Sequence, residues 1–315
     1  MTDSVSLATV RFMTYPALCF RSVFRRKMVT VGMLALTLSL ILCITGCRSG
    51  NPFQRSTPTT PTDAPIISTQ ATVSEVILLV NQHVSRVQSF STRNATLDGE
   101  GIFNLKGEIA FQRPNNFRLI GSHAVTGTEL DVGRNPDVMW MWIGKAEPKA
   151  MYFCRNADYA ACETNLNLSI NPLWVIDAMG FGQLDPNMPY EGPAPIDDRH
   201  IELRVRETTS SGETQTKIVV INRDYALPAA IRIYDRLDQL IADARVKSYR
   251  KDPETGIVIP QSIAINCPKE NQGKGMRFTI NYGTPELNRL DANNAHLWKM
   301  PAYQGYPPVN MAQGH

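Results

Sequence analysis

The sequence predicts a mainly β fold with a few helices (α+β), in which one antiparallel sheet of about eleven strands curls on itself. Strict alternation of apolar and polar residues recurs in many segments, as at Ile201, Leu203 and Val205, and this period of two is typical of strands with one wet face. Only two stretches have helical spacing. Because so many strands must curl and two helices cannot fill a wide curl, we expect a ligand cavity or a helix plug inside.

The first helix is predicted within residues 69–90, where valines follow one another three or four residues apart, as at Val76, Val80 and Val84. The second is predicted to begin at Asn171-Pro172, because asparagine caps helix starts and proline fits the first helical position. Gly180 and Gly182 would end it.

The remaining alternating segments supply the sheet. We predict strands near 92–97, 100–105, 107–112, 117–122, 126–132, 137–143, 149–154, 200–208 and 214–222, with hairpins over 229–249 and 257–283.

The amino terminus predicts export. Basic residues at 25–27 precede the uncharged run 28–44, which ends in Ile44-Thr45-Gly46-Cys47. An apolar core of this length followed by small residues and a cysteine resembles a bacterial lipoprotein signal, in which the cysteine thiol receives a diacylglycerol. We therefore predict a signal peptide over 1–46 and lipidation of Cys47. The alternative is a single-pass membrane anchor with a buried cysteine.

Composition divides the rest of the chain. Residues 47–68 are rich in Ser, Thr and Pro and predict a flexible tether. Residues 69–300 would form one domain, and 301–315 a tail that hangs free or lies over the body.

The first 46 residues hold five basic residues against Asp3 alone, so the remainder is nearly neutral. A neutral body disfavours nucleic-acid binding. Arg48, directly after the predicted lipidated cysteine, favours the outer membrane over the inner.

An ordered set of segments carries a family resemblance. Val87-Gln88-Ser89-Phe90 follows the first helix, then come Gly107–Phe117 with its Arg-Pro turn, the tryptophan strand Val138–Trp142 and Asn171-Pro172-Leu173. This order resembles the bacterial lipoprotein-sorting carriers of the LolA/LolB type over roughly residues 73–182. The chain departs from that pattern at Asn135-Pro136-Asp137 and in the proline-rich segment 183–198.

The resemblance implies an incomplete antiparallel barrel with a lid helix across its mouth and an apolar cavity for a lipid or the acyl chains of a lipoprotein. It implies a non-catalytic carrier or receptor in the cell envelope, with its body in the periplasm and a possible protein partner in envelope transport. It also implies that Arg113, in the Arg-Pro turn, latches the lid through hydrogen bonds to its backbone. The alternative is a structural or sensory envelope lipoprotein whose barrel is filled by its own side chains.

Large apolar side chains are the candidate cavity wall and lid. Trp140 and Trp142 lie two residues apart, so on a strand they share a face; they would line the cavity or belong to an ordinary core. Four residues of the predicted second helix would form the apolar face of the lid, with the same alternative: Leu173, Trp174, Met179 and Phe181.

The positions of the cysteines and histidines limit which disulfides, metal sites and catalytic sites the sequence can form. Cys154 and Cys162 lie eight residues apart, and export to an oxidising compartment predicts a disulfide between them. No Cys-x-x-Cys, Gly-x-Ser-x-Gly or His-Glu-x-x-His pattern occurs. The sequence therefore predicts no enzyme activity, no metal and no cofactor.

Overall fold

A computed structural model describes residues 65–99, 102–166, 174–210, 212–268 and 275–313. The predicted signal peptide, Cys47, the tether up to residue 64 and Leu173 of the candidate lid all lie outside the described residues.

Three α-helices occur in the described residues: α1 (Val73–Ser85), α2 (Tyr159–Leu166) and α3 (Trp174–Ala178). A capping box begins α1, because the Thr72 hydroxyl accepts from the Glu75 amide at 3.3 Å and the Glu75 carboxylate accepts from the Thr72 amide at 2.7 Å. The predicted first helix is thus confirmed with shorter bounds. The sequence did not predict α2, which lacks an apolar face.

Fifteen strands occur in the described part of the chain. They are β1 (Ser89–Gly99), β2 (Ile102–Gln112), β3 (Asn116–His123), β4 (Gly127–Arg134), β5 (Val138–Ile143), β6 (Met151–Arg155), β7 (Glu191–Pro195), β8 (His200–Thr208), β9 (Thr214–Asn222), β10 (Leu227–Tyr234), β11 (Leu240–Lys251), β12 (Val258–Cys267), β13 (Met276–Asn281), β14 (Glu286–Leu287) and β15 (Pro308–Asn310).

All of these strands belong to one sheet. Its order is β15-β6-β5-β4-β3-β2-β1-β13-β12-β11-β10-β9-β8-β7, with β14 paired to β1. Every pairing is antiparallel except that of β15 with β6. The mainly β class and the single curled sheet are therefore confirmed. The strand number differs from eleven because β7, β14 and β15 are short and lack an alternating pattern, whereas the predicted strands 100–105 and 107–112 merge into β2.

The strand register defines two faces of the sheet. Ile109 lies opposite Leu119 and Leu119 opposite Val132, so these residues form one row across β2, β3 and β4. The face that carries this row, here called the interior face, holds the main hydrophobic cluster, in which side chains of β1–β3 meet side chains of β11–β13. The opposite face is called the exterior face.

Helix α1 packs on the interior face at the other half of the sheet. Its Val80 and Val84 are completely buried and belong to one cluster with Leu203, Val219 and Ile231, which lie opposite one another on β8, β9 and β10. The valine face predicted from the sequence therefore gains its stability from packing rather than from helix propensity. Among the described residues, no helix is long and apolar enough to cross a membrane.

Candidate functional site

The interior of the curled sheet is occupied by residues Trp174–Leu184, which we call the interior plug. The plug consists of α3 and an extended segment, separated by a turn at Gly180 with a φ of +82°. Its apolar side chains are buried: Trp174, Ala178, Met179, Phe181 and Leu184. A side chain at position 180 would strain the backbone, and its Cβ would lie 2.9 Å from Cγ of Pro260. The predicted stop at Gly180 is therefore the bend that turns the plug into the interior.

Phe181 fills the centre of the interior. Its ring stacks on Phe111 at a centroid distance of 5.0 Å and an angle of 10°, and it contacts Phe90 at 5.0 Å and 50°. The Phe90 ring in turn meets the edge of Tyr282 at 5.2 Å. Offset and edge contacts of this kind are favourable beyond the burial of the rings. Phe181 thus fills the space between Phe90 of β1, Phe111 of β2 and Tyr282 after β13.

Arg113 joins the plug to the sheet and to α1. Its Nε donates to the carbonyl oxygen of Val87 at 2.9 Å, and its Nη2 donates to the carbonyl oxygens of Val84 at 2.8 Å and Phe181 at 2.9 Å. The rigid guanidinium can serve several carbonyls at once because its donors point in fixed directions. Burial lowers the pKa of Arg113. The contact that the family resemblance implies, from this arginine to the backbone of the lid segment, is present in the structure.

A second polar contact holds the plug at its other side. The ammonium of Lys217, which lies on the interior face of β9, is 2.7 Å from a carboxylate oxygen of Asp177 in α3. Burial lowers the pKa of the Lys217 ammonium, but Asp177, together with smaller contributions from Glu207 and Tyr190, outweighs burial and raises the pKa to about 12. A cavity between the plug and β9, lined by Asp177, Lys217 and Ile231 among others, measures about 10 Å³, which is room for roughly one water molecule.

The hydroxyl of Tyr282 is an interior polar group without a partner among the described residues. It is completely buried and makes no hydrogen bond within the described part of the chain. Burial raises the pKa of this phenol well above its ordinary value. An unsatisfied buried hydroxyl costs roughly 1–3 kcal/mol, so the closed interior is not fully optimised around Tyr282.

The predicted cavity-wall role of Trp140 and Trp142 is wrong. The two tryptophans do share a face, but Trp142 lies opposite Asp131 and Trp140 opposite Gly133, which places both on the exterior face. The ring of Trp140 covers Gly133 so closely that a Cβ at position 133 would lie 2.1 Å from Cζ2. A period of two shows which residues share a face, whereas the register of neighbouring strands decides which face it is.

Residues Trp298–Gln313, which we call the C-terminal strap, cover these tryptophans. Tyr303 stacks on Trp142 at 3.8 Å and 9°, and Tyr306 meets the same ring edge-on at 5.2 Å. The Tyr303 hydroxyl donates to the completely buried carboxylate of Asp131 at 2.7 Å. Within the strap, β15 pairs with β6. Of the two arrangements that the sequence left open for this segment, the structure therefore has the one that lies over the body.

Cys154 and Cys162 are joined by a disulfide, with Cα atoms 6.3 Å apart. The pair packs with Met139 and Met311 beside α2. In the described residues, no group of three His, Cys, Asp or Glu side chains could hold a metal ion.

Sequence reasoning missed Lys217 and Asp131. Lys217 lies in a segment in which Val219 and Ile221 occupy the following alternate positions. On a strand these residues share a face, so the pattern indicated an inward-facing lysine that needs a partner. Asp131 carried no such signal, because Gly127 and Glu129, which share its face in the predicted strand 126–132, are not apolar. Their partners Asp177 and Tyr303 lie 40 and 172 residues away along the chain, which no local pattern could show.

Comparisons with known proteins give likenesses in structure. No family model and no curated protein match the sequence. A solved DUF1329 family protein from Desulfovibrio piger is 12% identical with a TM-score of 0.47, and the match covers 70% of this chain and 94% of that protein.

Two further solved structures give similar values. A putative outer membrane lipoprotein-sorting protein domain from Vibrio parahaemolyticus is 10% identical with a TM-score of 0.47, covering 71% of this chain and 98% of the domain. A LolA superfamily protein from Nitrosomonas europaea is 11% identical with a TM-score of 0.45, covering 71% and 97%. Each likeness extends over most of the neighbour's length.

Proposed function

We propose that this protein is a non-catalytic carrier of the cell envelope, which binds the acyl chain of a lipid on the interior face of its sheet when the interior plug moves out. The observation that supports the proposal most directly is the plug itself. Its apolar side chains occupy the interior, while the polar contacts that hold it come from a few side chains. Arg113 donates to the carbonyl oxygen of Phe181, Lys217 pairs with Asp177, and the side-chain amide of Asn81 exchanges two hydrogen bonds with the backbone of Leu184. A short insert held in this way can leave without breaking the ladder of the sheet.

The free energy lost when the plug side chains leave the interior is comparable to the free energy gained when an acyl chain is buried there. Removal of Trp174, Met179 and Phe181 from the interior would cost roughly 1.5–3 kcal/mol for each side chain. Burial of an acyl chain returns about 0.8 kcal/mol for each methylene. A chain of roughly six to eleven methylenes would therefore offset the loss, and shorter chains would bind poorly. Binding then depends steeply on chain length.

The filled interior supports a second candidate. The cavity between the plug and β9 measures about 10 Å³. While the plug is in place, this space is too small for an acyl chain. If the plug never leaves, the protein is a structural or sensory envelope protein whose barrel is filled by its own side chains. The two candidates differ in one measurable property, which is whether ligand displaces Trp174.

The envelope location and lipid anchor form part of the proposal. The segment before Cys47 supports export, and the proposed anchor is a lipid on that cysteine. Metabolic labelling with a palmitate analogue tests the anchor, with Cys47→Ala as the matched variant. Continued labelling of Cys47→Ala would contradict lipidation at this residue.

Photoreactive fatty acids of increasing chain length test carriage. Full-length protein in phosphatidylcholine vesicles should be labelled on residues of the interior face only by chains of roughly eight carbons or more. The same chains should shift tryptophan emission to longer wavelength, because Trp174 leaves the interior.

Trp174→Phe provides the matched control for the emission change. This variant should lose the emission shift and keep the labelling. Absence of interior labelling at every chain length would contradict carriage and would favour the filled structural protein.

A further inference from the structure

Arg134 is a cation on the interior face. It is the last residue of β4 and lies opposite Phe117 of β3 and Met139 of β5. Both of these neighbours are buried apolar residues, in two different hydrophobic clusters. The side chain of Arg134 is half-buried between the clusters, beside Tyr159 at the start of α2.

Part of the Arg134 guanidinium is desolvated without compensation. Its Nε is buried and has no hydrogen-bond partner, and no carboxylate of a described residue forms an ion pair with it. Burial lowers the pKa of Arg134, and Tyr159 opposes that shift. By contrast, Arg113 and Lys217 each have partners at hydrogen-bond distance. A partly buried cation without a counter-charge is unfavourable, so an anion beside Arg134 would be stabilised.

An apolar strip leads away from Arg134 along the interior face. Val132 and Leu130 follow it along β4, and Met141 and Ile143 lie opposite them on β5. These side chains are only partly buried, and Met141 is 37% exposed. Four residues of strand span roughly 14 Å. A cation therefore stands at one end of an open apolar surface about as long as a medium acyl chain.

We propose that Arg134 binds the anionic head of an amphiphile, a carboxylate or a phosphate, whose acyl chain lies along the strip from Val132 to Ile143. This inference rests on the proposed function and specifies its ligand class. The acylated amino terminus of a lipoprotein carries no anionic head, so it would leave Arg134 unpaired. Charge complementarity thus favours a free anionic lipid as the ligand rather than a lipoprotein.

Three photoreactive probes of equal chain length test the head group: a fatty acid, an alkyl phosphate and the matching fatty alcohol. Full-length protein in phosphatidylcholine vesicles, at mildly alkaline pH, is labelled with each probe and the labelled peptides are mapped. The acid or the phosphate should label β4 and β5 at least about tenfold more than the alcohol. The stronger of the two identifies the head, and inorganic phosphate alone should not compete.

Variants of Arg134 test whether the preference for an anionic head group depends on the guanidinium. Arg134→Gln should lower labelling by the anionic probes to the level of the alcohol, while Arg134→Lys should keep most of the preference. The matched control is Arg204→Gln, which removes a half-exposed arginine from the exterior face of β8 and should change nothing. The thermal midpoint of Arg134→Gln should equal or exceed that of the parent, because an unpaired cation has been removed.

The outcomes separate the two proposals. Equal labelling by all three probes, or a preference that Arg134→Gln does not change, would overturn this inference and leave carriage intact. Loss of folding in Arg134→Gln would show that the guanidinium supports the fold and would also overturn it. No interior labelling by any probe would contradict the proposed function itself.

Discussion

The guanidinium of Arg113 and the carbonyl oxygen of Phe181 lie 2.9 Å apart. This hydrogen bond connects the end of β2 to the residue that fills the centre of the interior. The same nitrogen also binds the last turn of α1 through Val84. Movement of the plug therefore requires the loss of a charge-assisted hydrogen bond. The side chain of Arg113 joins the plug, α1 and β2 to one another.

Arg113→Leu should loosen the plug without unfolding the sheet. The carbonyl oxygens of Val84 and Phe181 lose their donor, and we expect the free energy of unfolding to fall by about 2–3 kcal/mol. Fluorescence of a hydrophobic dye should increase at temperatures below the thermal transition. Arg86→Leu, at the exposed end of α1, is the matched control and should leave dye binding unchanged. Unchanged dye binding in Arg113→Leu would show that the plug does not depend on this contact.

Asp177→Asn should destabilise the protein more than Lys217→Met. The asparagine variant leaves the Lys217 ammonium buried without its counter-charge, whereas methionine removes the charge and keeps the packing. We expect losses of about 1–2 kcal/mol for Asp177→Asn and about half of that or less for Lys217→Met. Chemical unfolding measures both. A larger loss for Lys217→Met would mean that the ammonium has other partners.

Stability should fall as the pH drops below the ordinary histidine range, because of His83. Its Nε2 is 2.8 Å from the carbonyl oxygen of Val258. Burial lowers the pKa of His83, and Arg86 adds to that effect while Val258 opposes it. Since the folded pKa is below the unfolded value of 6.5, the unfolded chain takes up its proton first. The contribution is therefore complete above pH 6.5 and decreases as the pH falls through that value.

His83→Gln should remove this part of the pH dependence. Glutamine can still donate to the Val258 carbonyl but does not titrate. Unfolding curves measured between mildly acidic and neutral pH compare the variant with the parent. An equal slope in both proteins would assign the pH dependence to other groups.

Tyr303→Phe should weaken the C-terminal strap and leave ligand binding unchanged. The variant removes a hydrogen bond to the buried carboxylate of Asp131, so we expect a loss of about 1–2 kcal/mol. Stacking on Trp142 is retained. Labelling by photoreactive fatty acid should equal that of the parent, because Tyr303 and Trp142 lie on the exterior face. Reduced labelling would contradict the assignment of the ligand to the interior face.

The Cys154–Cys162 bridge should form in the exported protein. Non-reducing peptide mapping should recover the two cysteines as one linked pair, and Cys154→Ser should lower the free energy of unfolding by about 2–3 kcal/mol through loss of the closed loop. The reduced parent protein should be destabilised by a similar amount. Free alkylation of both thiols in protein never exposed to a reductant would exclude the bridge.

Local pattern was sufficient for the class of fold and for most of its elements. Alternation at Ile201, Leu203 and Val205 predicted β8, and the valine spacing predicted α1, because side-chain direction follows directly from backbone period. The spacing of Cys154 and Cys162 pointed to the bridge, whereas the role of Arg113 came from the family resemblance. Short strands such as β15 were missed because a paired edge strand needs backbone hydrogen bonds but no particular side chains.

The sequence by itself determined which residues share a face; only the tertiary structure decided which face is interior. Trp140 and Trp142 have the alternation of a cavity wall, yet the register of β4 and β5 places them beneath the strap, while Arg134, which has no apolar signature, lies on the interior face. The pairing of Lys217 with Asp177 was equally invisible, and the contact of Arg113 with the lid backbone was expected only from the family resemblance. The physical reason is that a strand's period is local, whereas register and long-range pairing depend on the free energy of the whole packed sheet.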